Sequence, residues 1–262
     1  MYHFNIILTE NCNANCSHCY MSGDDKQRKK TLTVQQIDRI VANLPNNTRS
    51  ITLTGGEVFL IKDLLIYTIK SLKSKFPNIQ IEVESNGIYL YNNNPKVELE
   101  SLKSIGVHSI RFSLDPFHKD GGVDLEKVKN LKKYESTNTP IIRFLEQEKA
   151  LALGKGMNLD SEKQTIMNCM NSEKSCLEPY LFVDIDGNVF TCAWKCVPMI
   201  GNIIDDEFSD IENNLNNTFN KLILLGKIEE AITNRKEIDI DKLKEISSKE
   251  GQCYLCIKKY WR

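Results

Sequence analysis

Three cysteines within eight residues, Cys12, Cys16 and Cys19, carry the densest chemistry in this sequence. Their spacing, C-x3-C-x2-C, places three thiolates on one short loop directly after the apolar run Tyr2-His3-Phe4-Asn5-Ile6-Ile7-Leu8. Three thiolates on one loop can face one metal centre. No fourth ligand lies nearby in the chain, which leaves one position open to a small molecule. By residue type alone the loop suits zinc or an iron–sulfur cluster. Six further cysteines follow, Cys169, Cys176, Cys192, Cys196, Cys253 and Cys256, with none between residues 20 and 168. In a reducing compartment such groups read as ligands or reactive thiols rather than disulfides. For any single late cysteine, a small buried core residue is the plainer reading.

The elements that must position these residues alternate strand and helix. Thr33 is placed to cap a helix carrying Val34, Ile37, Ile40, Val41 and Leu44, stopped by Pro45. The β-branched run Ser50-Ile51-Thr52-Leu53 leads into Thr54-Gly55-Gly56-Glu57. A helix is expected over 64–76, then a strand over 79–83 that ends in Ser85-Asn86-Gly87. A helix over 97–105 closes at Gly106, the residue type that suits a helix C-terminus. A strand over 109–114 ends at Asp115, followed by a helix over 123–134 and a strand over 141–144. This alternation implies right-handed βαβ units and a parallel sheet, whose chemistry gathers at the C-terminal ends of the strands. The three cysteines, Gly-Gly-Glu, Ser-Asn-Gly and Asp115 all fall on that rim.

After Phe144 the rhythm breaks. A further short strand is expected near Leu151-Ala152-Leu153. Tyr180 to Ile185 and Val189 to Cys192 read as two strands joined by an Asp-Gly turn, and residues 207–248 read as helical with a polar face. The fold class is therefore α/β. A partial barrel of five or six strands is expected over residues 1–160, with a small cysteine-rich domain containing a β-hairpin over 161–262. The 262 residues carry a net charge of −1 and no basic stripe, which argues against nucleic acid as a partner. Apolar runs such as Leu222-Ile223-Leu224-Leu225 are too short to span a membrane. With no signal peptide visible, a cytoplasmic location is expected.

Cys12, Cys16 and Cys19 after the first strand, with Gly55-Gly56-Glu57 after the second, resemble the radical S-adenosylmethionine (SAM) enzymes. The resemblance implies a partial (βα) radical SAM barrel. It also implies that the three thiolates hold three irons of a 4Fe–4S cluster whose fourth iron is chelated by SAM. Gly55, Gly56 and Glu57 would present backbone groups to the SAM amine. His18 occupies a slot where that family has an aromatic residue near the adenine. Asn86 and Ser113 match polar positions that contact the SAM ribose or carboxylate, although a plain turn explains Ser85-Asn86-Gly87 equally well. The implied reaction is reductive cleavage of SAM, fed by a flavodoxin- or ferredoxin-type donor. Hydrogen abstraction from an unactivated substrate C–H follows.

The late cysteines carry a second resemblance. Cys176-x10-Gly187-x4-Cys192, with Gly201-Asn202-Ile203, is similar to the opening half of the SPASM and Twitch auxiliary-cluster domains, and Cys253-x2-Cys256 would close the set. That resemblance implies a second 4Fe–4S cluster on Cys176, Cys192, Cys253 and Cys256, with zinc in the same four as the alternative. Because the sequence stops six residues after Cys256, the shorter Twitch form is expected. Cys169 finds no match. Cys196 is a candidate hydrogen donor to a substrate radical, as an epimerase needs; a thiol packed beside the cluster is the plainer reading. Asp115 and His118 are candidates to orient substrate or move a proton, set against a surface turn begun by Asp-Pro. The motifs together resemble peptide epimerases and other maturases of ribosomally made peptides. A small-molecule (sugar or cyclitol) dehydrogenase or epimerase is the alternative, and a zinc-binding structural protein a remote third.

Overall fold

The computed structural model describes residues 1–19, 21, 30–146, 148–149, 154–160, 179–250 and 252–258. The opening apolar run forms strand β1, Tyr2–Thr9, and it lies inside the sheet rather than at an edge. On one side follow β2 (Thr48–Gly55), β3 (Gln80–Ser85), β4 (Val107–Ser113) and β5 (Ile141–Leu145), each parallel to its neighbour. On the other side β6 (Tyr180–Val183) pairs parallel with β1. The antiparallel strands β7 (Asn188–Phe190) and β8 (Gly201–Asn202) extend the sheet beyond it. The strand order is β5-β4-β3-β2-β1-β6-β7-β8.

Five strands therefore stand where the alternating pattern puts them. The short strand expected at 151–153 lies outside the described residues, as do Cys169 and Cys176. The sixth parallel strand is the first arm of the hairpin. Phe4 and Ile6 face Leu181 and Val183 across the β1–β6 ladder, and all four side chains are buried. The hairpin turn forms as expected: the Asp184 carboxylate accepts from the N–H groups of Asp186 and Asn188, and Gly187 takes φ +83°.

Strands buried in a parallel sheet usually read as apolar on both faces. These do not. Phe4, Ile6, Leu53, Val83, Ile110 and Phe112 point to one face and merge with the helix side chains Ile37, Ile40, Leu65, Ile69 and Leu99 into the main core. The residues between them, Asn5, Thr52, Thr54, Glu82, Glu84, Arg111 and Ser113, point the other way and line a cavity. Helices cover one face, and the period of two in the strands records that the other stays wet.

The covering helices are α1 (Val34–Asn43), α2 (Lys62–Lys75), α3 (Ile88–Asn92), α4 (Pro95–Ser104), α5 (Pro116–Asp120) and α6 (Leu125–Lys129). The helix expected over 123–134 is thus shorter: Asp124 caps it at Lys127, and its last turn, Asn130–Tyr134, tightens to a 3-10 helix. Beyond the sheet, α7 (Phe208–Leu215), α8 (Thr218–Leu224), α9 (Ile228–Thr233), α10 (Ile240–Glu250) and α11 (Gln252–Ile257) follow. α8 to α11 build a second, smaller core around Ile223, Ile228, Ile232, Leu243 and Leu255. Among the described residues no helix is long and apolar enough to cross a membrane.

The start of α1 is a complete capping box. Gln36 N–H donates to Thr33 Oγ1 at 3.2 Å, and Thr33 N–H donates to Gln36 Oε1 at 2.9 Å. Thr33→Ala removes one half of that exchange. It should cost about 1 kcal/mol of unfolding free energy in a denaturant titration; an unchanged midpoint would mean that the box contributes nothing.

Candidate active site

The cysteine loop is fastened before it reaches its first thiol. Thr9, buried at the end of β1, accepts from Asn11 N–H at 3.1 Å through its hydroxyl and shares a 2.7 Å hydrogen bond with the Thr31 hydroxyl. From the neighbouring strand end, Gly56 N–H donates to Thr9 O and Glu57 N–H to Asn11 O, both at 2.7 Å. The two backbones approach so closely that a Cβ on Gly55 would meet Thr9 O at 2.4 Å, and one on Gly56 would meet Asn11 O at 2.2 Å. Gly-Gly is required here by that close approach.

Glu57 is buried, and burial pushes its carboxyl up. Its oxygens accept from Asn86 N–H at 2.8 Å, Phe59 N–H at 3.1 Å and the Ser85 hydroxyl at 3.0 Å, which offsets part of that rise and leaves the carboxyl above its usual range. Glu57 does not line the cavity; Gly55, Gly56, Ser85 and Asn86 do. The Asn86 side chain returns to the loop, donating to Asn13 Oδ1 at 2.8 Å and lying 3.8 Å from Cys12 Sγ.

Two further segments clamp the loop. Gly121, just after α5, packs on Cys16 so tightly that a Cβ would meet the Cys16 N and Sγ at 2.8 Å, and its carbonyl accepts from Asn15 N–H at 3.0 Å. Lys155 N–H donates to Cys19 O at 3.0 Å. Gly121 went unnoticed in the sequence, where the only sign was the pair Gly121-Gly122 after a short capped helix.

Cys16 is buried, and Cys12 and Cys19 are half-buried. Burial, with the neighbouring Cys12, Cys19 and Asp115, pushes the Cys16 thiol up to about 12. A thiol raised in this way stays protonated unless a cation stands beside it. Among the described residues, the potential metal-ligand atoms lying mutually within 4.8 Å belong to Cys16, His18 and His118, not to the three cysteines. One tetrahedral zinc, with bonds of about 2.3 Å, would need its sulfurs about 4 Å apart. The wider spread fits a cluster in which each thiolate takes its own iron.

His18 stacks on Phe117 with ring centroids 4.8 Å apart, and its Nε2 lies 3.8 Å from Asp115. Burial pushes the His18 ring down, and its Nδ1 is buried without a hydrogen-bond partner among the described residues. Such an orphaned atom on a cavity wall fits a bound group with a hydrogen to share. Asp115 caps α5 and holds the His118 ring, at 3.0 Å from the His118 N–H and 2.8 Å from Nδ1. Burial pushes the Asp115 carboxyl up, but His118 and His18 outweigh it and hold the group below its usual range. Asp115 and His118 thus stand beside Cys16. Ser113 lines the same cavity at the end of β4.

The cavity holds about 970 Å³. Its floor is the wet face of the sheet, where Glu84 pairs with Arg111 and accepts from the Thr54 hydroxyl at 2.6 Å. Glu82 lies 3.3 Å from Arg111 and 3.5 Å from Arg143. This network also went unnoticed in the sequence, although Glu82-Val83-Glu84 and Arg111-Phe112-Ser113 show the alternation that marks it. On the far side, Cys192, Cys196, Cys253 and Cys256 line the same cavity. Cys253 and Cys256 share a face of α11 at i, i+3. A hydrogen bond from Cys196 and the backbone N–H groups of Trp194, Cys196 and Lys195 hold the Cys192 thiol down at about 7. Cys196 is pushed up by that bond, by burial, and by the charges of Cys192, Cys256 and Cys253.

The model of the radical SAM superfamily matches residues 6–154, more than half of the chain. The chain belongs to the radical SAM superfamily, and that membership implies an enzyme using SAM and a 4Fe–4S cluster. A probable GTP 3′,8-cyclase of Methanococcus vannielii is 32% identical over 134 residues, covering 48% of this chain and 42% of that protein. The sporulation killing factor maturation protein SkfB of Bacillus subtilis is 29% identical over 175 residues, covering 63% of this chain and 38% of that protein. The chain thus spans about two-fifths of the length of these curated relatives. The solved structure of BtrN in complex with AdoMet and 2-DOIA has the same fold, with a TM-score of 0.63 at 18% identity over 88% of this chain and 90% of that one.

Hydrogen bonds to cluster sulfurs favour the reduced state. Asn86→Leu removes the N–H beside Cys12 and should move the midpoint potential of a cluster bound by this loop to a more negative value. Redox titration followed by electron paramagnetic resonance (EPR) measures it, and an unchanged potential would show that the amide does not touch the cluster electronically. Gly121→Val should lower the iron bound by the Cys12–Cys19 loop, because its side chain takes the space of Cys16; full iron content would contradict the close packing.

Proposed function

We propose that the chain is a radical SAM enzyme that modifies a ribosomally made peptide at an unactivated C–H, by epimerisation or crosslinking. The observation that carries this reading is the single cavity lined by both cysteine groups. Its volume is at the upper end of the roughly 300–1,000 Å³ usual for small-ligand sites, so a substrate segment has room beside SAM. The SkfB match, over 63% of the chain, supports a peptide as that segment.

In this reading Cys12, Cys16 and Cys19 each hold an iron of the first cluster. Reduced and bound to SAM, that cluster supplies a 5′-deoxyadenosyl radical. Gly55 and Gly56 leave backbone bare at the rim where the SAM amine would lie, and the His18 ring and its unpartnered Nδ1 stand where the adenine is expected. Asn86 and Ser113 offer polar groups to the ribose and carboxylate. Asp115 and His118, which line the cavity beside Cys16, stand where they could orient a substrate or move a proton. Residues 161–262 form a Twitch-like unit that holds a second 4Fe–4S cluster through Cys192, Cys253 and Cys256, with Cys176 as the fourth ligand that the sequence resemblance supplies. A flavodoxin- or ferredoxin-type protein delivers the electron.

A small-molecule substrate is the second reading, favoured by the match to the probable GTP 3′,8-cyclase. The two are separated by incubating reconstituted enzyme, SAM and reductant in deuterated water, with a short precursor peptide encoded beside the gene or with GTP. The peptide should stimulate 5′-deoxyadenosine formation and return either carrying one solvent deuterium or lacking two hydrogens. Stimulation by GTP alone would overturn the peptide reading.

A further inference from the structure

The first loop offers a second arrangement of metal ligands that does not use all three cysteines. Among the described residues, a ligand atom from each of Cys16, His18 and His118 lies within 4.8 Å of the other two. Cys12 and Cys19 stand outside that group. Tetrahedral zinc, with bonds of about 2.0 Å to nitrogen and about 2.3 Å to sulfur, sets its ligand atoms roughly 3.5 Å apart. Side-chain rotation that moves the atoms by about 1 Å closes the set around one ion.

The two histidines are also held as metal ligands are held. Both Asp115 oxygens lie 2.8 Å from His118 Nδ1, and Oδ1 accepts from the His118 N–H at 3.0 Å. Facing a carboxylate, Nδ1 carries the proton, which leaves the Nε2 lone pair for a metal. A carboxylate behind a histidine in this way is a recurrent support for metal-bound imidazole. His18 is fixed by stacking on Phe117 and meets the His118 ring edge-on, with centroids 4.9 Å apart. Its Nε2 lies 3.8 Å from the same Asp115, and its Nδ1 is buried without a hydrogen-bond partner among the described residues. All three residues line the cavity, which gives an ion a way in.

We infer that Cys16, His18 and His118 form a zinc site in the chain before its first cluster is built, with Asp115 supporting the histidines. One thiolate and two neutral imidazoles suit zinc rather than calcium or magnesium. Binding releases the Cys16 proton and leaves the fourth position to water. The consequence for catalysis rests on the proposed cluster at Cys12, Cys16 and Cys19. One thiolate then serves two metals, so zinc and the cluster exclude each other. Zinc has no redox chemistry, so the zinc form is idle until the ion leaves Cys16.

The test uses the full chain, purified without oxygen and stripped of metal under reductant, with Zn2+ as the probe. Zinc per chain is read by competition with a chromophoric chelator, and zinc held by the late cysteines is common to every variant. His118→Ala should lose one equivalent of tightly bound zinc, yet still gain a SAM-responsive EPR signal on reconstitution with iron and sulfide. Cys12→Ala should do the reverse, keeping the zinc and losing that signal. Asp115→Asn, which loosens His118 without removing it, should weaken the zinc by about 10- to 100-fold. Circular dichroism checks that each variant folds. Zinc added first should block the SAM-responsive signal in the unaltered chain but not in His118→Ala. Full zinc retention in His118→Ala, or its loss in Cys12→Ala, would overturn the site. An unaltered chain with no SAM-responsive signal, whose zinc still depends on His118, would support the site and remove only the cluster reading.

Discussion

Two backbone hydrogen bonds organise the site. Gly56 and Glu57 donate to the carbonyls of Thr9 and Asn11, locking the end of β2 onto the start of the cysteine loop. The lock forms only because neither glycine has a Cβ. It also forces the Glu57 side chain inward, where a carboxylate must find donors or be neutralised. The donors are Phe59 N–H beside it and Ser85 and Asn86 at and just beyond the end of β3. Asn86, fixed in this way, spends its amide on Asn13 and Cys12. A constraint on one peptide plane thus passes through a buried carboxylate and an amide to a thiol expected to bind iron. Gly121 and Lys155 press the same loop from the other side, so the spread of the three sulfurs is set by backbone contacts rather than by mobile side chains.

The sheet supplies the second condition. One face is sealed by helices. The other carries Glu82, Glu84, Arg111 and Arg143 in mutual contact. Each carboxylate meets a guanidinium and a hydroxyl, Thr54 for Glu84 and Ser109 for Glu82. The result is a polar floor whose charges are already balanced and oriented, beneath a cavity that reaches from the first cysteines to the last. Radical chemistry needs a site that fixes its reactants, and a pre-satisfied floor contributes to that.

Local patterns made the repeating units legible. The β-branched runs, the Thr33 cap and the stop at Gly106 act over a few residues, and each stands where the sequence puts it; the helix expected over 123–134 is the exception, ending at Lys129 and tightening beyond it. The cysteine loop and Gly-Gly-Glu were legible as a pair for the same reason, since each is a short motif at a strand end. What was hidden depends on partners distant in the chain. Tyr180–Val183 reads as a hairpin arm, and nothing local reveals that its other edge pairs with β1, some 180 residues earlier. Gly121 is an ordinary glycine until Cys16 is packed against it. Asp115 and His118 were placed on the active rim, but not that they turn to Cys16.

The central claim is that Cys12, Cys16 and Cys19 hold the cluster that binds SAM. EPR of the dithionite-reduced protein, recorded with and without SAM, tests it directly. The unaltered protein should give a cluster signal that changes on adding SAM, and the variant with all three cysteines replaced by alanine should lose that response while keeping any signal from the later cysteines. A SAM-dependent change that survives the triple replacement would contradict the claim.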